Sequence, residues 1–234
     1  WSSDVALPIY RIVDVYPDMD ITDFRYEDGF DNGIPSMHTY QGKILHDIWE
    51  TGLVKNFIMA YDAFYPALAE SDRANVVPFL SAQSDRYDLG VKKYSAGGIR
   101  KNIEDGILRE VYPAFKNSQI RGNFGMHQST LALAAVVLDE EGTSQEMLDF
   151  MFKSGDLERI NDPKYPNGRH YYLTGGDILS ALTEDVDRDG FGNEAAPGYN
   201  NIWITQLKLV ADALDGYDRY PESDLYNNVK FRNM

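Results

Sequence analysis

Apolar residues recur at helical spacing along most of this chain, and no other feature restricts its fold as strongly. In one stretch they stand four residues apart, at Ile99, Ile103, Ile107, Val111 and Phe115. This pattern predicts a helix with one side facing a core. No convincing run of alternating apolar and polar residues, typical of half-buried strands, is present. The sequence therefore predicts an all-α protein.

Glycine and capping residues predict where individual helices begin and end. Gly52 is predicted to separate a helix at 42–51 from one at 53–70. Further helices are predicted at 73–83, from 99 to about 117, and at 128–138, 144–153, 177–182 and 199–215. We expect antiparallel helical hairpins with long loops at 154–176 and 184–198. Because no linker-like segment interrupts the chain, residues 1–234 are predicted to form one domain.

The charge balance excludes several classes of partner. Lys and Arg number 22 and Asp and Glu number 37, which gives a net charge of −15. General nucleic-acid binders need the opposite balance, because the neutralisation of phosphates supplies most of their affinity. No apolar run approaches the roughly 18 residues of a membrane-spanning helix. We therefore expect neither nucleic-acid binding nor membrane insertion, and the absence of cysteine excludes thiolate metal sites.

A polar cluster opens the very apolar segment 121–139. Its members are Arg121, Asn123, His127 and Gln128. Asn123 and His127 are four residues apart, so on a helix they share one face. The cluster predicts a functional site, although a helix cap and a satisfied core histidine would explain the same residues.

A second candidate segment covers residues 187–214. Its Gly-rich acidic loop ends at Pro197-Gly198, and Tyr199 is predicted to begin the helix that follows. Tyr199 is therefore a candidate functional residue at a loop-to-helix junction. Ordinary packing at a helix start is the alternative.

Together the two segments resemble the toroid domain of the heparinase II/III-like polysaccharide lyases, a superfamily that includes alginate lyases. The matching residues are Asn123 with His127, and then Asp189-Gly190, Glu194, Pro197 and Tyr199. The resemblance covers the second half of the chain well and the first half only by architecture. It implies an incomplete (α/α) toroid in a periplasmic or secreted protein. Such lyases follow the toroid with a β-sandwich that supplies a catalytic histidine, and no β-rich region is present here, so we expect this chain to be part of a longer protein.

The resemblance also implies a reaction, the β-elimination of a uronic-acid polysaccharide. Asn123 would hydrogen-bond the substrate carboxylate and stabilise the enolate-like charge. Tyr199 would act as acid and base, and His127 would share the neutralising role or support the substrate. A tyrosine base needs a cationic neighbour, because its ordinary pKa is about 10. Further substrate contacts are expected from Arg121, Gln128 and Glu194.

The net negative charge argues mildly against a polyanionic substrate. A local cluster of basic residues would remove this objection if it lined a cleft while acidic residues covered the rest of the surface. The candidates for such a cluster are Arg100, Lys101, Arg109 and Arg121.

Asp185, Asp187 and Asp189, followed by Gly190, have the spacing of calcium-binding loops. The twelfth position of such a loop is Ala196 rather than Glu, so the bidentate ligand is missing. Calcium binding is therefore predicted as an alternative to a solvated acidic turn. The lyase reaction itself is expected to need no cofactor.

Two other functions remain open from the sequence. An inverting glycoside hydrolase on a similar toroid would pair Asp189 or Glu194 with Glu104 or Asp105, and the separation of the carboxyl groups would decide whether a water fits between them. A non-catalytic helical module that binds carbohydrate or calcium is the other alternative.

Overall fold

A computed structural model describes residues 12–13, 47–69, 76–88, 93–116, 124–153, 177–192 and 196–234. Helix dominates these ranges, and no β-strand occurs within them. Val186 and Gly192 form an isolated antiparallel bridge. The all-α prediction is therefore confirmed for the residues described. The predicted loop at 154–176 lies outside them.

The helices follow one another as α1 (Asp47–Ala69), α2 (Val76–Tyr87), α3 (Ala96–Ile103), α4 (Val111–Lys116), α5 (Met126–Leu138), α6 (Thr143–Phe152), α7 (Asp177–Glu184), α8 (Pro197–Leu214) and α9 (Val229–Asn233). A π-helical turn, Glu104–Leu108, follows α3, and two 3₁₀ turns, Pro221–Ser223 and Leu225–Asn227, precede α9. The predicted helices at 128–138, 144–153, 177–182 and 199–215 correspond to α5 to α8 within a few residues. Within the described ranges, none of these helices has the combination of length and apolarity needed to cross a membrane.

The described residues divide into two compact units. The first unit contains residues 12–13 and the described residues between 53 and 110. The second unit contains residues 47–52 and the described residues from 111 to 234. No linker-like composition marks the division at residue 110, and the single domain predicted over residues 1–234 stays a prediction.

Helix α1 continues through Gly52, so the predicted helix boundary at this residue is wrong. A glycine inside a helix costs about 1 kcal/mol relative to alanine. Directly after it, Val54, Ile58 and Tyr61 are buried, and full burial of one such side chain contributes roughly 1.5–3 kcal/mol. Burial therefore outweighs the local preference of Gly52 to end the helix.

The apolar stripe predicted as one helix is interrupted by the π-helical turn. The Arg109 amide donates to the Glu104 carbonyl at 2.8 Å, a step of five residues. In a regular α-helix, residues four apart drift by about 40° around the axis, so a strict four-residue stripe gradually winds away from a core. The wider π-helical turn removes part of this drift, and Ile107 within it stays buried at 3% exposure.

Helix α5 is the centre of the second unit. Leu131, Ala132, Ala134 and Ala135 are completely buried, so the helix is enclosed on several sides. It packs against α6 and α8, and α6 also contacts α7. The small alanine side chains allow close approach of the neighbouring helices.

Ser144 stabilises the turn between α5 and α6 through two hydrogen bonds. Its hydroxyl donates to the Ala135 carbonyl at 2.7 Å and accepts a hydrogen bond from the Glu140 amide at 3.0 Å. Gly142 holds the N-cap position of α6, without a side-chain hydrogen bond. Ser144 thus ties the connection to the end of α5.

Candidate functional site

The two candidate segments pack directly against each other in the second unit. The ring of Phe124, just before α5, lies 4.5 Å from the indole of Trp203 in α8, measured between centroids. One turn into α5, the Ser129 hydroxyl donates to the Gln206 side-chain oxygen at 2.7 Å. The start of α5 therefore lies beside the first half of α8.

Contacts at the other end of α5 and α8 show how the two helices are oriented relative to each other. Asp139, which follows α5, accepts a hydrogen bond from the Tyr217 hydroxyl at 3.0 Å. Its backbone carbonyl accepts another from Arg219 at 3.0 Å. Tyr217 and Arg219 follow the end of α8, so the two helices run parallel and their N-terminal ends lie at the same end of the pair.

Gly125 allows the close approach at this end. Its φ is +91°, and a Cβ atom at this position would lie 2.6 Å from the Cβ of Gln206. Its amide donates to the side-chain oxygen of Gln128 at 2.7 Å. Gln128 is completely buried, so its placement favours a structural role at the helix start over the predicted contact with substrate.

His127 occupies the first turn of α5 as predicted, but its side chain is only 3% exposed. Its ring lies 5.5 Å from that of Phe115 in α4, measured between centroids. An imidazole in this position is a core side chain. It can affect chemistry at the end of the helix pair by holding its neighbours in place.

Tyr199 is the third residue of α8, because the helix begins at Pro197 rather than at the predicted Tyr199. Its side chain is half exposed, at 49%. Within the described part of the chain, its hydroxyl has no hydrogen-bond partner, whereas several other tyrosines donate to carboxylates: Tyr61, Tyr217, Tyr220 and Tyr226. Tyr199 thus presents a half-exposed side chain at the shared N-terminal end of α5 and α8.

The acidic segment before α8 forms a tight hairpin. The Asp187 amide donates to the Phe191 carbonyl at 2.7 Å, and the Asp189 carboxylate accepts from the Phe191 amide at 3.3 Å. Throughout the described ranges, no three His, Asp or Glu side chains are grouped so that they could hold a metal ion. The calcium site predicted at Asp185, Asp187 and Asp189 stays a prediction.

Helix α9 holds the hairpin in place. The Lys230 ammonium group donates to the Val186 carbonyl, and the Asn233 side chain donates to the Arg188 carbonyl at 3.3 Å. Gly190, at the tip, has φ +88°, and a Cβ atom there would lie 1.8 Å from the Asn233 carbonyl oxygen. Only a glycine permits this approach.

The hairpin also rests on the first turns of α8. A Cβ atom at Gly192 would lie 2.8 Å from both the side-chain oxygen of Asn200 and the Trp203 ring. Asn200 and Trp203 are both buried. The sequence reasoning missed Trp203 and Gln206, because their importance depends on contacts between distant segments and no local motif marks them.

The basic cluster expected to line a cleft is largely paired. In the first unit, Arg109 contacts Asp105 at 2.6 Å and Glu104 at 3.3 Å. Lys101 also forms an ion pair with Asp105. The guanidinium of Arg100 lies 5.5 Å from the centre of the Tyr65 ring. The charges of Lys101 and Arg109 are thus balanced locally.

Three candidate residues, Arg121, Asn123 and Glu194, lie outside the described residues. Their predicted roles stay predictions. Of the predicted catalytic residues, the structure places His127 and Tyr199 at the same end of α5 and α8, the first buried and the second exposed. Comparisons of the chain with protein families, curated proteins and solved structures give no match.

Proposed function

We propose that this chain is the helical toroid part of a polysaccharide lyase that cleaves uronic-acid-containing polysaccharide by β-elimination. The observation that carries the proposal is the parallel packing of α5 and α8, which brings the starts of the two resembling segments to one end. Antiparallel hairpins arranged in a toroid make every second helix parallel. The packing of α5 and α8 fits that arrangement.

The exposed position of Tyr199 suits the central chemical step. The reaction removes the proton on C5, forms a double bond between C4 and C5, and breaks the bond from C4 to O4, which takes up a proton. A phenol can carry out both transfers when it reaches both atoms. Tyr199 is half exposed, so a bound chain could reach its oxygen.

Asn123 is the proposed neutralising group. It directly precedes Phe124, whose ring contacts Trp203. An amide donor would hydrogen-bond the substrate carboxylate and stabilise the negative charge that develops when the C5 proton leaves. Under this proposal the buried His127 supports the helix start and does not contact the substrate.

The hydrolase alternative is less well supported. Glu104 accepts hydrogen bonds from the Tyr61 hydroxyl at 2.7 Å and from Arg109 at 3.3 Å, so both of its oxygens are engaged. Desolvation acts to raise the pKa of Asp105, but the hydrogen bonds and charges of Lys101 and Arg109 outweigh it and hold that pKa below its usual range. A general acid must be protonated at the working pH, and the lowered pKa of Asp105 opposes this.

The proposal is tested on the longer protein expected to contain this chain, with alginate, heparan-type and ulvan-type substrates. A lyase creates unsaturated products that absorb ultraviolet light, whereas a hydrolase creates reducing ends without this absorbance. We expect Tyr199→Phe to abolish the unsaturated product. Tyr87→Phe is the matched control, because Tyr87 is 54% exposed in the first unit. Reducing sugar without absorbance would favour a hydrolase, and binding without turnover would favour a non-catalytic module.

A further inference from the structure

Three pairs of aspartate followed by glycine lie within the described part of the chain: Asp105–Gly106, Asp189–Gly190 and Asp215–Gly216. An aspartate in this position can isomerise without an enzyme, because the glycine has no side chain to hinder the closure of a ring. A folded chain prevents the reaction where hydrogen bonds or packing fix either residue. The structure therefore distinguishes the pairs that can react from those that cannot.

Asp105–Gly106 is fixed inside the π-helical turn Glu104–Leu108. The Asp105 carboxylate also forms ion pairs with Lys101 and with Arg109, the latter at 2.6 Å. An ionised carboxylate resists attack by a nitrogen atom, because it has no good leaving group. The backbone and the side chain of this pair therefore both oppose ring closure.

Asp189–Gly190 is fixed at the tip of the hairpin. The Gly190 amide, which contains the attacking nitrogen, donates to the Asp187 carbonyl at 3.1 Å. The Asp189 carboxylate accepts a hydrogen bond from the Phe191 amide at 3.3 Å. Gly190 also lies so close to the Asn233 carbonyl that no Cβ atom would fit between them. Ring closure here requires both hydrogen bonds and this contact to break.

Asp215–Gly216 lacks such restraints. Both residues are exposed, and they directly follow the last residue of α8. Within the described ranges, the Gly216 amide donates no hydrogen bond, and the Asp215 carboxylate forms neither a hydrogen bond nor an ion pair. A Cβ atom at Gly216 would meet nothing within 4 Å. The attacking nitrogen and the carboxyl group are thus both accessible.

Ring closure at this pair needs a rotation of the backbone. Asp215 has ψ 118°, which turns the Gly216 nitrogen away from the Asp215 side chain. The rotation breaks one backbone hydrogen bond, which runs from the Tyr217 amide to the Leu214 carbonyl at 3.1 Å. Gly216, whose φ is +75°, has access to both positive and negative φ and can adjust to the new conformation. Fewer contacts therefore break here than at the hairpin tip.

We propose that Asp215 is a site of spontaneous isomerisation to isoaspartate in the folded protein. The Gly216 nitrogen forms a bond to the side-chain carboxyl carbon of Asp215, and one carboxyl oxygen leaves as water with the acid proton and the amide proton. Water then opens the cyclic imide by breaking the bond between the main-chain carbonyl carbon of Asp215 and the Gly216 nitrogen. The product has the same atoms as before, with one more carbon in its backbone. This altered link directly precedes Tyr217, whose hydroxyl donates to Asp139 at 3.0 Å.

The test compares the three pairs in one sample. The folded protein is incubated at mildly acidic pH and digested, and isoaspartate at each pair is measured by fragmentation mass spectrometry. We expect at least about fivefold more isoaspartate at Asp215 than at Asp189 or Asp105, the factor that corresponds to one additional hydrogen bond of about 1 kcal/mol. Similar amounts at the three pairs, or the largest amount at Asp189 or Asp105, would overturn the proposal.

Incubation in guanidinium chloride separates the effect of the fold from that of the sequence. All three aspartates precede glycine, so we expect them to react at similar rates in the unfolded chain. A preference for Asp215 that persists unchanged in the denaturant would contradict the structural argument.

The variant Asp215→Glu keeps the charge and assigns the signal. Its peptide should contain no isoaspartate, and a signal that survives in this variant would also contradict the proposal. Because no polysaccharide takes part in the reaction, the result is independent of lyase turnover.

Discussion

Replacement of Gly190 by alanine tests the contact between the hairpin and α9. Gly190 has φ +88°, and its added Cβ would lie 1.8 Å from the Asn233 carbonyl oxygen. Gly216 is the matched control, because its φ is +75° and no atom lies within 4 Å of the corresponding Cβ position. Both substitutions incur the backbone cost of a left-handed alanine, about 1–2 kcal/mol. Only Gly190→Ala adds a collision with backbone.

The additional destabilisation of Gly190→Ala can be worked out from the contacts that are lost when α9 moves away to relieve that collision. If α9 leaves the hairpin, the bonds from Lys230 to Val186 and from Asn233 to Arg188 are lost, at about 1 kcal/mol each. Phe231, now 9% exposed, would also lose part of a burial that contributes roughly 2 kcal/mol. We therefore expect Gly190→Ala to destabilise the protein by about 2–4 kcal/mol more than Gly216→Ala.

The free energies of unfolding of the two variants can be compared by urea denaturation followed by circular dichroism. Equal destabilisation within about 0.5 kcal/mol, the usual range of neutral surface changes, would show that α9 does not pack on Gly190. A larger loss for Gly216→Ala would refute the reasoning entirely.

Three further substitutions test buried groups. Burial lowers the pKa of Lys55 to about 8 from its ordinary 10.5. Between these two pH values the unfolded chain binds more protons than the folded chain does. The free energy of unfolding should therefore rise as the pH increases from about 8 to 10. Lys55→Met should remove this rise in urea denaturation at about pH 7 and 9.5, and an unchanged slope would contradict the assignment. Tyr220→Phe removes the 3.0 Å hydrogen bond to Asp149 and should lower the free energy of unfolding by about 1 kcal/mol at pH 7. An unchanged free energy of unfolding, measured by urea denaturation, would mean that this hydrogen bond does not stabilise the fold. Gly125→Ala places a Cβ atom 2.6 Å from the Cβ of Gln206. This substitution should lower the free energy of unfolding by about 2 kcal/mol or more. An unchanged melting temperature would refute the close packing of α5 and α8.

Strong helix-forming segments were predictable, because local preference and burial agree there. The segment that became α5 is rich in Ala and Leu, and it folds as a helix that is buried along most of its length. At Gly52 the local preference of glycine to end a helix conflicts with the burial of the residues that follow it, and burial outweighs the local preference. The π-helical turn was also missed, although the strict four-residue spacing from Ile99 to Val111 is longer than one α-helical turn.

The candidate site was only partly predictable for a different reason. The positions of His127 and Tyr199 at helix starts follow from local sequence, but the burial of His127 depends on Phe115 in another helix. A groove beside the C-terminal end of α8, lined by residues that include Asp215, Tyr217 and Tyr226, was missed as well. Its sequence signal is the close spacing of Asp and Tyr between Asp215 and Tyr226, which becomes meaningful only when the chain folds these residues around one space.

The tyrosine–carboxylate contacts have a consequence for tolerance of ionic strength. Phenols donate to Glu104, Asp139 and Asp149, and each of these carboxylates also has a basic partner: Arg109, Arg219 and Lys153 respectively. A phenol carries no net charge, so dissolved salt does not screen its hydrogen bond as it screens an ion pair, for which the screening length falls to about 3 Å at 1 M. The contribution of Tyr220 to the free energy of unfolding should therefore be nearly the same in about 0.1 M and 1 M sodium chloride. The stability of the fold should therefore depend less on ionic strength than it would if ion pairs alone supplied these contacts.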